Sequence, residues 1–333
     1  MKKLLITGGA GFIGSHFIKY IIDNHPDYTV INVDNLTYAG NLDNLKSIES
    51  NERYSFIKTD ICDAISINEL MSQGIDYVIN FAAESHVDRS IIDSSQFINT
   101  NVLGTNTLLE AAKTYGIKKF IQISTDEVYG SLGHEGVFTE ESPLAPNSPY
   151  SASKASADLM VRSYYQTFGL PVNITRCSNN YGSHQLPEKL IPLMICNAYE
   201  DQSLPLYGTG LNIRDWIHVK DHCRAIFQVL CKGKNGEIYN VGANNERTNK
   251  DIVMSILRAL NKTESLITLV EDRLGHDYRY AISYDKIREQ VGWQPEIDFE
   301  EGLQEVIGWY LENMEWCKET RRRLKTYYKC IYG

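Results

Sequence analysis

The chain has 333 residues, 43% apolar and 23% charged, and its net charge is 33 − 42 = −9. So much apolar surface excludes a mainly disordered chain, because burial can offset the entropy of ordering. The acidic balance argues against a nucleic-acid partner, whose phosphates need Lys and Arg, but allows an anionic small ligand in a local basic pocket.

Met1-Lys2-Lys3 before Leu4-Leu5-Ile6 begins like a secretory signal, but Gly8, Gly9 and Gly11 interrupt the apolar run. No stretch approaches the length of a membrane helix, so the expected setting is cytoplasmic with no membrane partner. Lys3 to Thr7 reads as a strand and Phe12 to Asn24 as a helix. Tyr28 to Val33 is a strand ending at Asp34, and Tyr54 to Thr59 is another ending at Asp60. Asp76 to Ala83 is a buried-looking run, and Phe97 to Tyr115 is helical. Lys118 to Ser124 predicts a strand, Pro149 to Phe168 a helix, and Pro171 to Cys177 a strand. This regular alternation predicts parallel strands joined by right-handed crossover helices, an open α/β sheet covered on both faces. After about residue 178 segments shorten and turn residues cluster, which predicts a smaller mixed lobe interleaved with the last strands of the sheet. The run Arg321-Arg322-Arg323 reads as a solvated helix face. Seven cysteines, an odd number with no CxxC pair, predict reduced thiols and no metal site.

Gly8, Gly11 and Gly14 fall between the first strand and the first helix. Gly8 permits a tight turn, Gly11 clears the approach of a pyrophosphate, and Gly14 lets helix and strand pack closely. The helix N-terminus supplies free N–H groups to phosphates. Asp34 follows Gly14 by 20 residues at the end of the next strand. Its carboxylate can accept from both ribose hydroxyls and would repel a 2′-phosphate, which favours NAD over NADP. A plain strand-end turn is the alternative for Asp34.

Tyr150 and Lys154 stand four residues apart on a predicted helix and so share a face. The ammonium is expected to lower the phenol's pKa, so that Tyr150 takes a proton from a sugar hydroxyl. Thr125, at the end of the preceding strand, can bond the same oxygen. Asp126 and Glu127 follow it directly. Capping by Asp126 with Glu127 in solvent is one reading of this pair. The other is chemistry: elimination of water needs one group to protonate the leaving hydroxyl and another to remove a proton from carbon.

The Gly8–Gly11–Gly14 spacing resembles that of the extended short-chain dehydrogenase/reductases. Ser124-Thr125-Asp126-Glu127-Val128-Tyr129-Gly130 is similar to the signature of the dTDP-glucose 4,6-dehydratase family. So are Ala82 to Ser90, Tyr150 to Lys154, Ser178 to Gly182, Arg214-Asp215-Trp216, and Asp272-Arg273 with Gly275-His276-Asp277. The likeness runs in order from residue 2 to about 310. Ser183 and Leu274 stand where the family usually has Pro.

The resemblance implies a Rossmann-type doubly wound parallel sheet over residues 1–178, with a smaller mixed α/β C-terminal substrate lobe over 179–333. It implies NAD held by Phe12, Ile13, Asp34, Asn35, Leu36, Thr37, Asp60, Ile61, Ala82, Ala83, Glu84, Ser85, Thr100 and Asn180, with Tyr150 and Lys154. It implies contacts to a nucleotide-diphosphate sugar, dTDP-glucose, from His86, Thr125, Asn179, Lys189, Leu190, Pro205, Leu206, Tyr207, Arg214, Asn249 and Asp272, Arg273, Leu274, Gly275 and His276. Lys189, Arg214 and Arg273 supply cations suited to a diphosphate. Taken singly, Lys189 could be a surface ion-pair partner and His86 a core histidine. Thr125, Asp126, Glu127, Tyr150 and Lys154 form the implied catalytic set of a lyase that yields dTDP-4-keto-6-deoxyglucose and water. The likeness also implies a homodimer joined through helices near 97–115 and 150–168. A nucleotide-sugar 4-epimerase, a UDP-glucuronate decarboxylase and a non-catalytic NAD sensor are the rival expectations.

Overall fold

A computed structural model describes residues 1–332. In chain order, β1 (Lys2–Thr7), α1 (Phe12–Asn24), β2 (Tyr28–Asp34), β3 (Tyr54–Lys58), α2 (Ala64–Met71) and β4 (Tyr77–Asn80) come first. α3 (Val87–Ile92), α4 (Ser95–Phe97), α5 (Thr105–Tyr115), β5 (Lys119–Thr125), α6 (Pro149–Phe168) and β6 (Val172–Cys177) follow. The second half holds β7 (Asn179–Tyr181), α7 (Leu190–Tyr199), β8 (Leu204–Tyr207), β9 (Ile213–His218), α8 (Val219–Lys232) and β10 (Ile238–Val241). It ends with β11 (Glu246–Thr248), α9 (Asn249–Ala259), β12 (Ile267–Val270), α10 (Asp285–Val291), α11 (Phe299–Glu312) and α12 (Met314–Tyr332).

Strands β10-β6-β5-β4-β1-β2-β3 form a seven-stranded sheet in that order. All its pairings are parallel, with Thr7 opposite both Val33 and Asn80. This is the doubly wound, Rossmann-type order, and it reverses between β1 and β4, where such sheets leave a crevice beyond their strand ends. Alternate side chains explain the two covered faces. Leu4 and Ile6 of β1 pack with Phe17, Ile18 and Ile21 of α1 and with α8, whereas Leu5 packs with Leu108 and Leu109 of α5. Strand β10 joins this sheet although it lies 60 residues beyond β6.

The rhythm breaks after β6 as expected. A mixed sheet β11-β9-β7 and a parallel pair β12-β8 cover a separate core of α7, α9 and α11. The buried-looking run ends as a strand at Asn80 and continues as loop to Ala83. The single helix expected over 97–115 contains a π-helical segment, Ile98–Gly104. That segment turns Asn101 inward. Its side chain accepts from Glu84 N (2.9 Å) and donates to Glu84 O (3.0 Å) and Ser153 Oγ (2.8 Å). Helix α6 starts sharply because Ser148 and Ser151 form a capping box with Pro149 in the first turn, and it stops at Gly169.

The arginine run departs from expectation in part. Arg322 faces solvent and pairs with Glu319, but Arg321 reaches Asn197 Oδ1 (2.7 Å) and Arg323 reaches the Gly40 carbonyl (3.0 Å). Arg322 and Arg323 are exposed, as expected, but Arg323 still makes one bond back to the fold, and Arg321 is half-buried against α7. Among the described residues, no helix is long and apolar enough to cross a membrane.

Candidate active site

A cleft of about 320 Å³ opens at the β1/β4 reversal. Gly8 takes φ +67°, and a Cβ there would lie 2.6 Å from Ala82 N. Glycine therefore lets the loops after β1 and β4 meet. A Cβ on Gly14 would lie 2.4 Å from the Gly8 carbonyl, so the start of α1 can press on the loop only without a side chain. Gly11 caps α1 and supplies no side-chain acceptor, which leaves the first N–H groups of the helix aimed at the cleft.

Asp34 stands at the end of β2 with its carboxylate held by Ala10 N (3.0 Å) and Leu36 N (2.8 Å). Burial raises its pKa and these two donors oppose the rise. Asn35 donates to Asp60 Oδ2 (2.8 Å), which joins the ends of β2 and β3. Glu84, Ser85 and Thr100 complete that wall.

Farther along the cleft, Thr125 ends β5 and caps a 3-10 turn over Asp126–Tyr129. Capping therefore falls to Thr125 and not to Asp126. Asp126 is fully enclosed, and among the described residues its Oδ2 has no hydrogen-bond partner. Burial, then the neighbouring charges of Glu127 and Asp215, push its carboxyl well above the usual range. Glu127 is also raised by burial, but Arg214, Lys189 and Arg273 draw it back. Both carboxyls are thus raised by burial, Asp126 further because acidic neighbours add to the rise while three cations oppose it at Glu127, so Asp126 is the better placed to give a proton and Glu127 to take one.

Tyr150 and Lys154 line the same cleft from α6. The expected lowering of the phenol by Lys154 is not found in the protein alone. Burial, with Glu127, Cys177 and Asp126, raises Tyr150 well above its ordinary value. The Lys154 ammonium donates to the Ile123 carbonyl (2.7 Å), and burial lowers its own pKa. Desolvation outweighs the cation here.

The expected substrate residues divide into two groups. Asn179, Thr125 and Lys189 line the cleft. Lys189 is not a surface ion pair: its Nζ is held by the Ser85 carbonyl (3.1 Å) at the start of α7. Asn180 accepts at its Oδ1 from His222 (2.9 Å), which orients the amide. His86 is half-buried beside Lys189, Arg89 and Arg273, and desolvation and those cations take its pKa down to about 2, so it stays neutral. It is not among the cleft-lining residues.

The second group forms an outer layer. Arg214 lies 4.4 Å over the Tyr280 ring and donates to Asp277 O (3.0 Å). Arg273 pairs with Asp88 through Nε (2.5 Å) and Nη2 (3.1 Å) and stands 5.1 Å over Tyr207. His276 bonds Asp272 Oδ1 (2.6 Å), and Gly275 takes φ +63° between them. Asn249 opens α9, and its N–H is bonded by Asn212 O (3.0 Å). Leu206 is a core side chain at 2% exposure, so only its backbone can meet a ligand. Pro205 flanks it, Leu190 packs against the same core, and Leu274 is exposed. Leu36 adopts φ +54° and is not among the cleft-lining residues. The sequence reading missed Gly40, Thr59, Phe81, Cys177, Gln185 and Leu186, which line the cleft. Thr59, Phe81 and Cys177 adjoin strand ends already singled out, which was the available signal; Gly40, Gln185 and Leu186 come from loops that carried none. Among the described residues, no group of three or more His, Cys, Asp or Glu is placed to hold a metal.

The model of the GDP-mannose 4,6 dehydratase family matches residues 5–306. The dTDP-glucose 4,6-dehydratase of Neisseria meningitidis serogroup B is 50% identical to this chain, covering 95% of each. The chain belongs to the dTDP-glucose 4,6-dehydratase family. The Streptomyces venezuelae enzyme of that name, solved with NAD and TYD bound, is 48% identical at TM-score 0.94, over 96% of this chain and 99% of that one. A UDP-glucose 4-epimerase from Thermotoga maritima, solved with UDP-glucose, shares the fold at TM-score 0.87 but only 29% identity, over 94% of this chain and 99% of that one.

Proposed function

We infer that the chain dehydrates dTDP-glucose to dTDP-4-keto-6-deoxyglucose with NAD as a recycled cofactor. The observation that carries this reading is the adjacent Asp126–Glu127 pair lining the cleft that also holds Tyr150 and the glycine loop, with only Glu127 drawn back by three cations. An epimerase returns its hydride to the same carbon and needs no acid for a departing hydroxyl.

Gly8, Gly11 and Gly14 fit a pyrophosphate, and Asp34 fits the ribose hydroxyls. When bound, NAD supplies a carrier that accepts a hydride from C4 and returns it at C6, and a positive ring that favours the phenolate form of Tyr150. Tyr150 takes the proton of the 4-hydroxyl, with Thr125 bonding the same oxygen and Lys154 supporting the anion. The 4-keto group acidifies C5–H. Glu127 removes that proton, and Asp126 protonates the 6-hydroxyl as it leaves as water. Glu127 then returns a proton to C5. Lys189, Arg214 and Arg273 receive the diphosphate. Residues 1–178, with β10, serve the dinucleotide, and 179–333 mainly the nucleotide sugar.

A homodimer through the 97–115 segment and α6 agrees with Ile98 and Leu103 on the π-helical stretch and Leu159 on α6, large apolar side chains each more than half exposed. Cys62, Cys177, Cys196, Cys223, Cys231 and Cys317 are free, which suits a reducing, cytoplasmic setting. Incubation with dTDP-, UDP-, CDP- and GDP-glucose tests the activity. A 4-keto product from dTDP-glucose is expected, with deuterium placed at C4 appearing at C6. Label lost to solvent, or retained at C4, overturns the reading.

A further inference from the structure

Helix α12 lies beyond residue 306, where the family match ends, and the chemistry above makes no use of it. It is nevertheless built into the fold. Cys317, Thr320 and Leu324 are buried along one side. Arg321 ties that side to α7 through Asn197 Oδ1 (2.7 Å) and Glu200 Oε2 (3.3 Å). Arg323 Nη2 crosses to the other lobe and donates to Gly40 O at 3.0 Å.

These contacts meet both walls of the cleft. On one wall, Gly40 adjoins the ribose acid: a Cβ at Gly40 would lie 2.7 Å from Asp34 Oδ1. The Asn35–Gly40 loop is held at its root by Leu36 N on Asp34 and, just beyond it, by Asn41 N on Ala10 O (2.9 Å). Arg323 grips the outer side of that loop. On the other wall, Gln185 and Leu186 line the cleft. Their loop is held by Tyr310 of α11, whose hydroxyl donates to Gln185 O (2.6 Å). His184 packs between Trp309 and Trp316, with ring centres 4.4 and 5.6 Å away. Ser183 donates to His16 Nε2 (3.0 Å), whose Nδ1–H bonds the Phe12 carbonyl at the start of α1 (3.0 Å).

We propose that α12 is a strap across the two cleft walls and that Arg323 is a positioning residue for the wall carrying Asp34, so that it sets the affinity for the dinucleotide. The proposal rests on the reading of the cleft as an NAD site. Within that loop Tyr38 is buried, bonds Ser85 Oγ (3.3 Å) and lies 3.4 Å under Arg89, so Arg323 adds one charged, partly solvated donor to a loop already anchored at its middle and root, and its loss leaves the Gly40 end to be ordered by the ligand.

The test uses the full chain stripped of nucleotide, with NAD and dTDP titrated separately by calorimetry and thermal midpoints measured alongside. Arg323→Ala is expected to weaken NAD by about two- to fivefold while leaving dTDP affinity unchanged. Arg323→Lys should recover most of the loss, because an ammonium can donate to the same carbonyl. Arg322→Ala, which removes only a solvated pair with Glu319, should bind NAD as the unaltered chain does. Unchanged NAD affinity in Arg323→Ala, equal losses of NAD and dTDP, or no recovery in Arg323→Lys would each overturn the strap. Failure of the unaltered chain to bind NAD would instead overturn the cofactor reading on which it rests.

Discussion

The two ends of the cleft are built by different means. The dinucleotide end is made of backbone: glycines whose missing side chains allow close approach, a helix N-terminus, and a carboxylate held by two N–H groups. The sugar-nucleotide end is made of side chains from distant segments. Arg273 meets Asp88 across 185 residues, and Arg214 rests on Tyr280 and the Asp277 carbonyl. A site made by backbone is set by the fold itself. A site made by ion pairs is set by partners that can be exchanged, and it can vary in specificity without disturbing the sheet. Between them lies the reacting centre, where buried groups of both signs meet.

The comparison breaks most sharply at that centre. Tyr150→Phe keeps the ring and removes the proton acceptor, so kcat should fall by roughly 10²–10⁴-fold in a direct product assay. A variant that retains its rate would show that another group takes the 4-hydroxyl proton. Asp126→Asn is nearly isosteric but cannot supply an acidic proton. Loss on the order of 10²-fold or more is expected, with reduced nicotinamide accumulating because oxidation at C4 is spared. The pH dependence has a definite sign. With Asp126 as the proposed acid and its pKa raised, the elimination rate should fall as pH rises through that value. Stability follows the same linkage. Asp126 folded binds its proton more tightly than unfolded, so its contribution is complete below the ordinary 3.8 and is lost as pH rises toward the folded value. Denaturant melts of Asp126→Asn against wild type should therefore show the variant gaining in relative stability across that window.

At the dinucleotide end the effect is smaller and selective. Asp34→Ala should weaken NAD by roughly 10–100-fold and narrow the preference over NADP, since charged hydrogen bonds are worth about 1.5–3 kcal/mol each. An unchanged ratio of the two affinities would remove Asp34 from the ribose.

The same division decides what could be read from the sequence. The alternation of strands and helices, the glycine loop and Asp34 are local patterns, and most of the expected elements appear in place with ends moved by a residue or two, β4 ending three residues early. The π segment at Ile98–Gly104 was not legible, because its cause is tertiary: Asn101 must turn toward Glu84 and Ser153. The bonds of Arg321 to Asn197 and of the exposed Arg323 to Gly40 were not legible, because nothing in their neighbourhood names those partners. Tyr150 illustrates the same limit in energy. A helix face predicts that Lys154 is near, but the balance between its charge and desolvation depends on how completely the cleft is enclosed.

The smallest expected effect tests the side-chain end. Asp88 and Arg273 are each partly exposed, and ion pairs of that kind contribute about 0.2–1 kcal/mol. Asp88 nevertheless fixes Arg273 above Tyr207 and beside the neutral His86. In Asp88→Asn the guanidinium loses its charged partner, and its flexible stem must be ordered by the diphosphate instead. The KM for dTDP-glucose should rise by about two- to fivefold. Because Asp88 touches neither Asp34 nor the glycine loop, the affinity for NAD should stay as it is. Steady-state kinetics at saturating NAD, with a separate NAD titration, measure both quantities. If KM and NAD affinity moved together, the two ends would be one coupled unit, and the contrast between a backbone-built and a side-chain-built site would have to be given up.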